Sequence, residues 1–375
     1  MESTAPAWGD ARPWRVAAHL TDIGSGEEPE AQLYLVEGAT RLSDGTIAVA
    51  NGGTGEIRFF DPLGRFVQAV GGIGGGPGEF RMEDGPGLRF LTHLDGDTLL
   101  AWDLLAQRVS VFSSEGALVR STRLGSAAGM YFMRGVLRDG SVVLALLDAA
   151  EPRGGAAGCR RQVERLVRFG AGGDSLNLVG DFPGAEYCTS AIRAGLDLRL
   201  SPPWGRSLHV ATAGERVYVG TGDSWQVAVY DGAGRLQRLI RRASQPLPLT
   251  PDLAARLTVR TAEEVAAKAP GGLRSTLEKA VNQAMADAPR PTVLPPYSDL
   301  LVDADLNLWV KSFGTSMDEP SQWTVFSEEG VWLGTVALPQ GLEPLEIGTD
   351  FVLGEERDVL GVEHIVAYPL EKEGT

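Results

Sequence analysis

One strand-like phrase after another along this chain of 375 residues closes on an aromatic residue, and no other feature restricts the fold as tightly. The phrase runs through a small turn, an apolar strand, a gap, a strand ending in the aromatic, a second turn and a further strand. Its anchors are Phe60, Phe112, Phe169, Tyr230, Phe326 and Tyr368, spaced 42 to 61 residues apart except for one gap of 96. Each anchor has an upstream turn: Asp44-Gly45, Asp95-Gly96, Asp139-Gly140, Gly214-Glu215, Asp305-Leu306-Asn307 and Thr349-Asp350. Turns of this kind between apolar runs signal hairpins. The long gap holds a helical stretch of about 40 residues, and removing it restores the period. Six repeats of four strands result.

A four-stranded unit of this size cannot bury its apolar faces alone, so such repeats stack around a common axis. The chain is therefore predicted to be an all-β, six-bladed β-propeller of four-stranded blades, a single domain over 12–370. A helical insertion at 250–289, between blades 4 and 5, is expected to cover one face, and 1–11 to form a flexible tail. The first blade takes strands near 35–42, 46–50, 56–60 and 65–70, and the second takes 88–94, 98–102, 108–112 and 117–124. The sixth repeat ends at Tyr368 without a fourth strand. The segment 14–20 has no other place, so it is predicted to close the ring as the outer strand of the last blade, which removes an unpaired edge.

Composition fits a turn-rich globular protein. Glycine supplies 48 residues, about 13% against a usual value of roughly 7%, with no collagen-like period. No apolar run reaches the 18 or so residues of a spanning helix. The net charge of −15 sets the chain against phosphate backbones and anionic lipid, so neither nucleic acid nor membrane insertion is expected. The opening Met1-Glu2-Ser3-Thr4-Ala5-Pro6 lacks the basic and apolar regions of a signal peptide.

In an antiparallel blade, the turn between the second and third strands and the linker to the next blade leave on the same face. The long segments 71–87, 149–161, 183–206 and 243–297 all fall there, and long loops on a rigid scaffold are where binding residues concentrate. Cys159 and Cys188 lie in two such loops of blade 3, within reach of a disulfide. That bond would suit an oxidising, extracytoplasmic (periplasmic or secreted) compartment; two ordinary loop cysteines are the alternative. Within the insertion, Pro251 suits a first helical position, and Thr261-x-x-Glu264 and Ser275-x-x-Glu278 match capping boxes. Two or three helices are expected, with a turn at Gly271-Gly272 and an apolar stripe of Leu273, Leu277, Val281 and Met285. They would form a lid over the channel mouth and offer a surface to a protein partner.

The starts of the inner strands bring Glu37, Arg89, Arg134, Arg206, His209, Tyr297, Asp299 and Glu346 to that mouth. The ends of the second strands add Asn51, Asp103, Asp148, Asp223, Lys311 and Glu355. Such a ring suits a small polar molecule or a peptide, arginine making bidentate contacts to carboxylate or phosphate. The expected ligand-binding residues are Arg89, Arg134, Trp204, Arg206, His209 and Tyr297. His209 is also the candidate catalytic base, and Trp204 the candidate stacking wall. Asn51, Asp103 and Asp223 have a competing role in bonding turn backbone.

Two stretches carry a family likeness. The run Val70-Gly71-Gly72-Ile73-Gly74-Gly75-Gly76-Pro77-Gly78-Glu79-Phe80 resembles the blade linker of NHL-repeat proteins, and Leu42-Ser43-Asp44-Gly45-Thr46-Ile47-Ala48-Val49-Ala50-Asn51 resembles the strand that follows such a linker. The chain is similar over roughly 12–370 to the bacterial NHL-like six-bladed β-propellers, many of them extracytoplasmic and without an assigned function. Later blades depart from the pattern, with no second GpGeF. Propellers of the lactonase and amidating-lyase type hold Ca²⁺ or Zn²⁺ in the channel, and the resemblance makes Glu37, His209, Asp299 and Glu346 candidate ligands. Two readings follow: a binding propeller at the loop-rich face, or a metal-dependent hydrolase or lyase with the ion activating water at the channel mouth. Gly173-Asp174-Ser175-Leu176 matches an esterase signature, but it falls in a turn without a downstream Asp-x-x-His. The Gly71–Gly78 run lacks the Lys-Ser/Thr ending of a phosphate loop.

Overall fold

The structure, a computed structural model, describes every residue except 1, 10–13, 25, 27, 125–128, 148–157, 194–195, 268–272, 317–318 and 373–375. Asp148, most of the 149–161 loop and the turn at Gly271-Gly272 therefore lie outside the described residues. Three short strands come first: β1 (Glu2–Ser3), β2 (Arg15–Val16) and β3 (Thr21–Ile23). The first sheet is β4 (Val36–Arg41), β5 (Ile47–Asn51), β6 (Glu56–Phe60) and β7 (Phe66–Gly71), and the second is β8 (Leu88–Leu94), β9 (Thr98–Asp103), β10 (Arg108–Phe112) and β11 (Leu118–Arg123). The third has five strands: β12 (Tyr131–Val136), β13 (Val142–Leu147), β14 (Gly158–Phe169), β15 (Ser175–Arg193) and β16 (Leu196–Leu200). The fourth is β17 (His209–Ala213), β18 (Arg216–Gly220), β19 (Gln226–Asp231) and β20 (Leu236–Arg242), followed by helices α1 (Pro251–Ala267) and α2 (Arg274–Asp287). The fifth is β21 (Tyr297–Val302), β22 (Leu308–Ser312), β23 (Ser321–Phe326) and β24 (Trp332–Leu338), and the sixth is β25 (Glu343–Ile347), β26 (Phe351–Arg357) and β27 (Glu363–Glu371).

Burial follows position in the sheet. All five residues of β5 are buried, whereas the outer β7 alternates half-buried and exposed. A strand sandwiched between two sheets must be apolar on both faces, while a rim strand keeps the period of two. An apolar cluster fills each gap between neighbours. Leu42, Ile57 and Phe59 meet Leu91 and Leu99 between the first and second sheets, and Trp309 and Trp323 meet Val352 and Tyr368 between the fifth and sixth. Leu353 and Ile365 of the sixth sheet pack back onto Ile47, Val49 and Phe60 of the first. The result is propeller-like: six sheets in a ring, their inner strands facing one channel.

The amino-terminal segment behaves differently from the expected tail. β2 pairs with β27 at Glu371 and Leu370, and β3 pairs with it at Ile365–Ala367, so both lie on the outer edge of the sixth sheet. Further upstream, β1 adds in parallel to β20, and the amides of Ala7 and Trp8 donate to Trp332 and Leu333 carbonyls. Residues 2–8 thus cover the rims of the fourth and fifth sheets. The expectation for the helices is corrected too. Thr261 does not start a helix; it lies within α1, its hydroxyl bonding back to the Leu257 carbonyl at 2.9 Å. Ser275 is inside α2, which begins without a side-chain cap. The cap that does form is Thr250, whose hydroxyl accepts from the Leu253 amide at 3.2 Å just ahead of Pro251. Among the described residues no helix is long and apolar enough to cross a membrane.

Candidate functional site

The third sheet carries an arm that positions everything at the loop-rich end. β14 and β15 continue past β12 and β13 as a ribbon, to which β16 adds along Cys188–Arg193, so 183–193 is strand rather than the linker expected there. Cys159 lies directly opposite Cys188 and is bonded to it, with a Cα separation of 4.0 Å. α2 packs on this arm, Val281 and Met285 joining Cys188, Trp204, Leu257 and Leu294 in one buried cluster.

Beside the arm opens a pocket of about 400 Å³, within the usual range for small-molecule sites. Its apolar walls are Pro202, Trp204, Pro289, Pro291, Val293, Leu294 and Pro295, and its charged groups are Arg160, Arg161, Arg206, Arg290, Glu186 and Asp223. Trp204 is 1% exposed, its indole N–H donating to the Pro289 carbonyl at 3.0 Å. The exposed Arg290 stands 6.0 Å over the Trp204 ring. Arg206 donates to Glu186 Oε1 at 2.9 Å and to Asp223 Oδ1 at 2.8 Å, and its amide donates to Glu186 Oε2. Arg161 donates to the same Asp223 oxygen at 2.6 Å and to the Gly184 carbonyl at 3.0 Å. Burial pushes the Asp223 carboxyl up, but the bonds from Arg161 and Thr221 outweigh it and hold it below the ordinary range. Bonding to Glu186 holds the Arg206 guanidinium above its usual value. Arg161 and Arg206 thus form an ionic lattice with Glu186 and Asp223, and Arg160 and Arg290 line the same pocket, four guanidiniums to two carboxylates in all.

Of the expected ligand-binding residues, Trp204 and Arg206 line this pocket, while Arg89, Arg134, His209 and Tyr297 do not. Tyr297 is buried, and its hydroxyl donates to the Gln226 carbonyl at 2.8 Å and accepts from the Gly222 amide at 3.3 Å; burial pushes it up to about 12. His209 packs edge-on against Tyr297 with ring centroids 5.8 Å apart. Burial, then the nearby Arg134 charge, lowers it to about 4, so the ring is neutral and a weak base at neutral pH. Through Gly222, Tyr297 ties β21 to the edge of the pocket.

The inner strands explain Arg89 and Arg134. Five of them carry bulges, at Val36/Ala39, Leu88/Phe90, Met133/Gly135, Tyr297/Asp299 and Pro344/Glu346. A bulge leaves one residue unpaired and re-aims it, and in the first three that stretch includes Glu37, Arg89 and Arg134. Arg89 pairs with Glu37 at 2.5 Å across the first and second sheets, and Arg134 pairs with the buried Glu164. At Gly135 a Cβ would sit 2.2 Å from Thr212 Oγ1, which bonds the Val136 amide and carbonyl; glycine lets the third and fourth sheets approach this closely. Asn51 and Asp103 do bond turn backbone: Asn51 Oδ1 accepts from the Tyr34 amide, and Asp103 accepts from the amides of Arg81 and Ala106.

The candidate metal ligands do not assemble. Glu346 lies toward the opposite end of the channel, its carboxylate bonded by Thr40 and the Arg41 amide. Glu37 is taken by Arg89, and Asp299 accepts from the amide of its own neighbour Leu300. Among the described residues no three His, Cys, Asp or Glu side chains converge as a metal site. The donor set of Glu37, His209, Asp299 and Glu346 does not fit a bound Ca²⁺ or Zn²⁺. Arg161, Glu186 and Arg290 were missed by the sequence reading. The register of the disulfide was the available signal: with Cys159 opposite Cys188, Arg161 must lie opposite Glu186 on the same face.

No family model matches the chain, and no curated protein matches it by sequence. Solved structures share its fold over nearly the full length. A member of the DUF4221 family from Bacteroides vulgatus superposes with a TM-score of 0.57 at 11% identity, covering 96% of this chain and 98% of that one. A Bacteroides fragilis protein assigned as exported gives 0.51 at 11% identity, with 99% of each chain covered. A gluconolactonase from Xanthomonas campestris covers 96% of both chains at 12% identity, but its TM-score of 0.45 supports no statement about chemistry.

Proposed function

We propose that the chain is an extracytoplasmic six-bladed β-propeller, NHL-like in its Gly-rich first linker, that binds a small carboxylate-bearing molecule in the pocket between Trp204 and Arg290. The observation that carries this reading is the charge of the wall: arginines outnumber acids two to one there, in a chain of net charge −15. A locally positive cleft on an acidic protein concentrates anions at that one place. Planar guanidiniums match a carboxylate in bidentate fashion, and the proline and leucine walls accept an apolar body. A volume of about 400 Å³ suits a small molecule or the end of a peptide rather than a folded partner. The Cys159–Cys188 bond supports a location outside the reducing cytoplasm, and one protein of similar fold is assigned as exported.

Calorimetric titration of the full chain with aryl and alkyl carboxylates, each paired with its neutral amide, tests the proposal. Carboxylates are expected to bind and amides not, and Arg290→Ala is expected to weaken binding. Equal binding of acid and amide, or binding indifferent to Arg290→Ala, would overturn it.

A further inference from the structure

A second set of side chains lies away from the Trp204 pocket, toward the opposite end of the channel, and three neighbouring sheets contribute one member each. Thr40 comes from β4, His93 from β8 and Glu346 from β25, all near the carboxyl ends of inner strands. Thr40 Oγ1 stands 2.6 Å from Glu346 Oε2 and 2.6 Å from His93 Nδ1. The Arg41 amide donates to the same Glu346 oxygen at 2.9 Å. The other carboxylate oxygen, Oε1, is 3.8 Å from His93 Nδ1, beyond hydrogen-bond reach. His93 and Glu346 both line a channel cavity of about 350 Å³ whose walls come from the inner strands of five sheets.

The protons can be counted. A carboxylate only accepts, so the single hydroxyl proton of Thr40 goes to Glu346. The Thr40 lone pair then faces Nδ1, so in its neutral form the His93 ring carries its proton on Nδ1 and leaves Nε2 as an acceptor. Two acceptors, His93 Nε2 and Glu346 Oε1, receive no hydrogen bond among the described residues. Of the nearby donors, the Thr40 hydroxyl and Arg41 amide are on Glu346, Thr212 is on the Val136 carbonyl, and Arg134 is held by Glu164 with its Nε unbonded; the exposed Arg138 lines the same cavity. The two acceptors themselves suit a group with several N–H bonds and a positive charge, which satisfies both.

We propose that this end of the channel binds a small organic molecule through a primary ammonium group, held by Glu346 and by Nε2 of His93. The site is separate from the Trp204 pocket and selects the opposite charge, so either proposal stands or falls without the other.

The test uses the full chain labelled with ¹⁵N, at about pH 8, where an ordinary imidazole is neutral. Two-bond ¹H–¹⁵N spectra report the tautomer of each ring, His93 being assigned by its loss in His93→Gln. The wild type is expected to show the Nδ1–H tautomer at His93, lost in Thr40→Val and restored in Thr40→Ser. Adding n-butylammonium chloride is expected to shift His93 Nε2 saturably, with sodium butyrate giving no shift. Glu346→Gln should weaken butylammonium binding about tenfold or more, the scale of a lost charged hydrogen bond. An Nε2–H tautomer in the wild type, the absence of a saturable shift, or unchanged affinity in Glu346→Gln would each overturn the proposal. Should Thr40→Val fail to fold, the wild-type tautomer and the wild-type titration decide the question.

Discussion

Cys159 stands directly across from Cys188 on neighbouring antiparallel strands and is bonded to it, and two residues further along the same register Arg161 faces Glu186. The crosslink thus fixes the ribbon from which the pocket's ionic wall projects. Reduction turns the disulfide into two thiols, so intact mass measured with and without reductant is expected to differ by two hydrogen atoms. Cys159→Ser/Cys188→Ser should lose about 2–4 kcal/mol of stability, the usual range for a native crosslink. An unchanged mass, or an unchanged denaturation midpoint in the double variant, would remove the crosslink from the account.

Pocket residues are expected to separate into two classes by their substitutions. Arg290→Ala removes an exposed cation over a ring, worth about 0.5–1 kcal/mol to folding, so melting should barely move while carboxylate affinity falls about tenfold. Trp204→Ala empties a buried site and should cost about 3–5 kcal/mol of stability. Thermal melts run beside calorimetry check both. A wild-type melt for Trp204→Ala would place that side chain outside the core.

The His209 ring should stay unprotonated well below the ordinary imidazole range. Burial and Arg134 lower it to about 4 in the folded protein, while the unfolded chain takes up its proton near pH 6.5. The unfolded state therefore binds more protons between these values, and this contribution to stability is lost as pH falls through that window. His209→Gln should flatten the dependence. An NMR titration in which the His209 ring protonates near pH 6.5 would contradict the burial on which this rests.

Asp299 carries the opposite sign. Burial pushes its carboxyl up to about 6, against the Leu300 amide and Lys311, with Glu343 adding to the rise. Between about pH 4 and 6 the folded state holds a proton that the unfolded chain has released, so stability falls as pH rises through this window. Asp299→Asn is expected to be more stable than wild type near neutral pH, by on the order of 1–2 kcal/mol, and to converge with it in acid. Urea midpoints against pH measure this; a variant less stable at neutral pH would show that the carboxylate is needed there.

The ring was legible because its period is carried by buried residues: Phe60, Phe112, Phe169 and Phe326 are core residues of their sheets. What failed were places where local signals compete with tertiary pairing. Pro183-Gly184 reads as a breaker, yet β15 runs through it at a register shift opposite Arg161–Val163. Thr261-x-x-Glu264 matches a helix start, but the apolar face of α1 continues from Leu257 to Ala262 and Ala266, and packing prevails over the cap. The list of mouth residues suffered most, because bulges break the strict alternation of the inner strands and strand position does not set depth in the channel; Glu346 is the clearest case. Trp204 and Arg206 were found since they flank a linker, whereas Arg161 and Glu186 sit inside a ribbon that looked like two loops.

Ring closure through β2 and β3 makes a further prediction. Removing residues 1–23 strips the outer edge from β27 and exposes the face that Ile23 covers. The melting temperature should drop by about 5 °C or more, since a buried side chain and several strand bonds each contribute about 1–3 kcal/mol. A truncated chain that melts with the wild type would show that the sixth sheet is complete without this segment.

Crystals of the full chain soaked with a panel of small aryl and alkyl carboxylates test the central claim most directly. The account predicts density with the carboxylate against the guanidiniums of Arg290 and Arg206 and the apolar body along Pro202, Leu294 and Pro295. Carboxylates that occupy only other surfaces, leaving the cleft beside the Cys159–Cys188 arm to solvent, would contradict it.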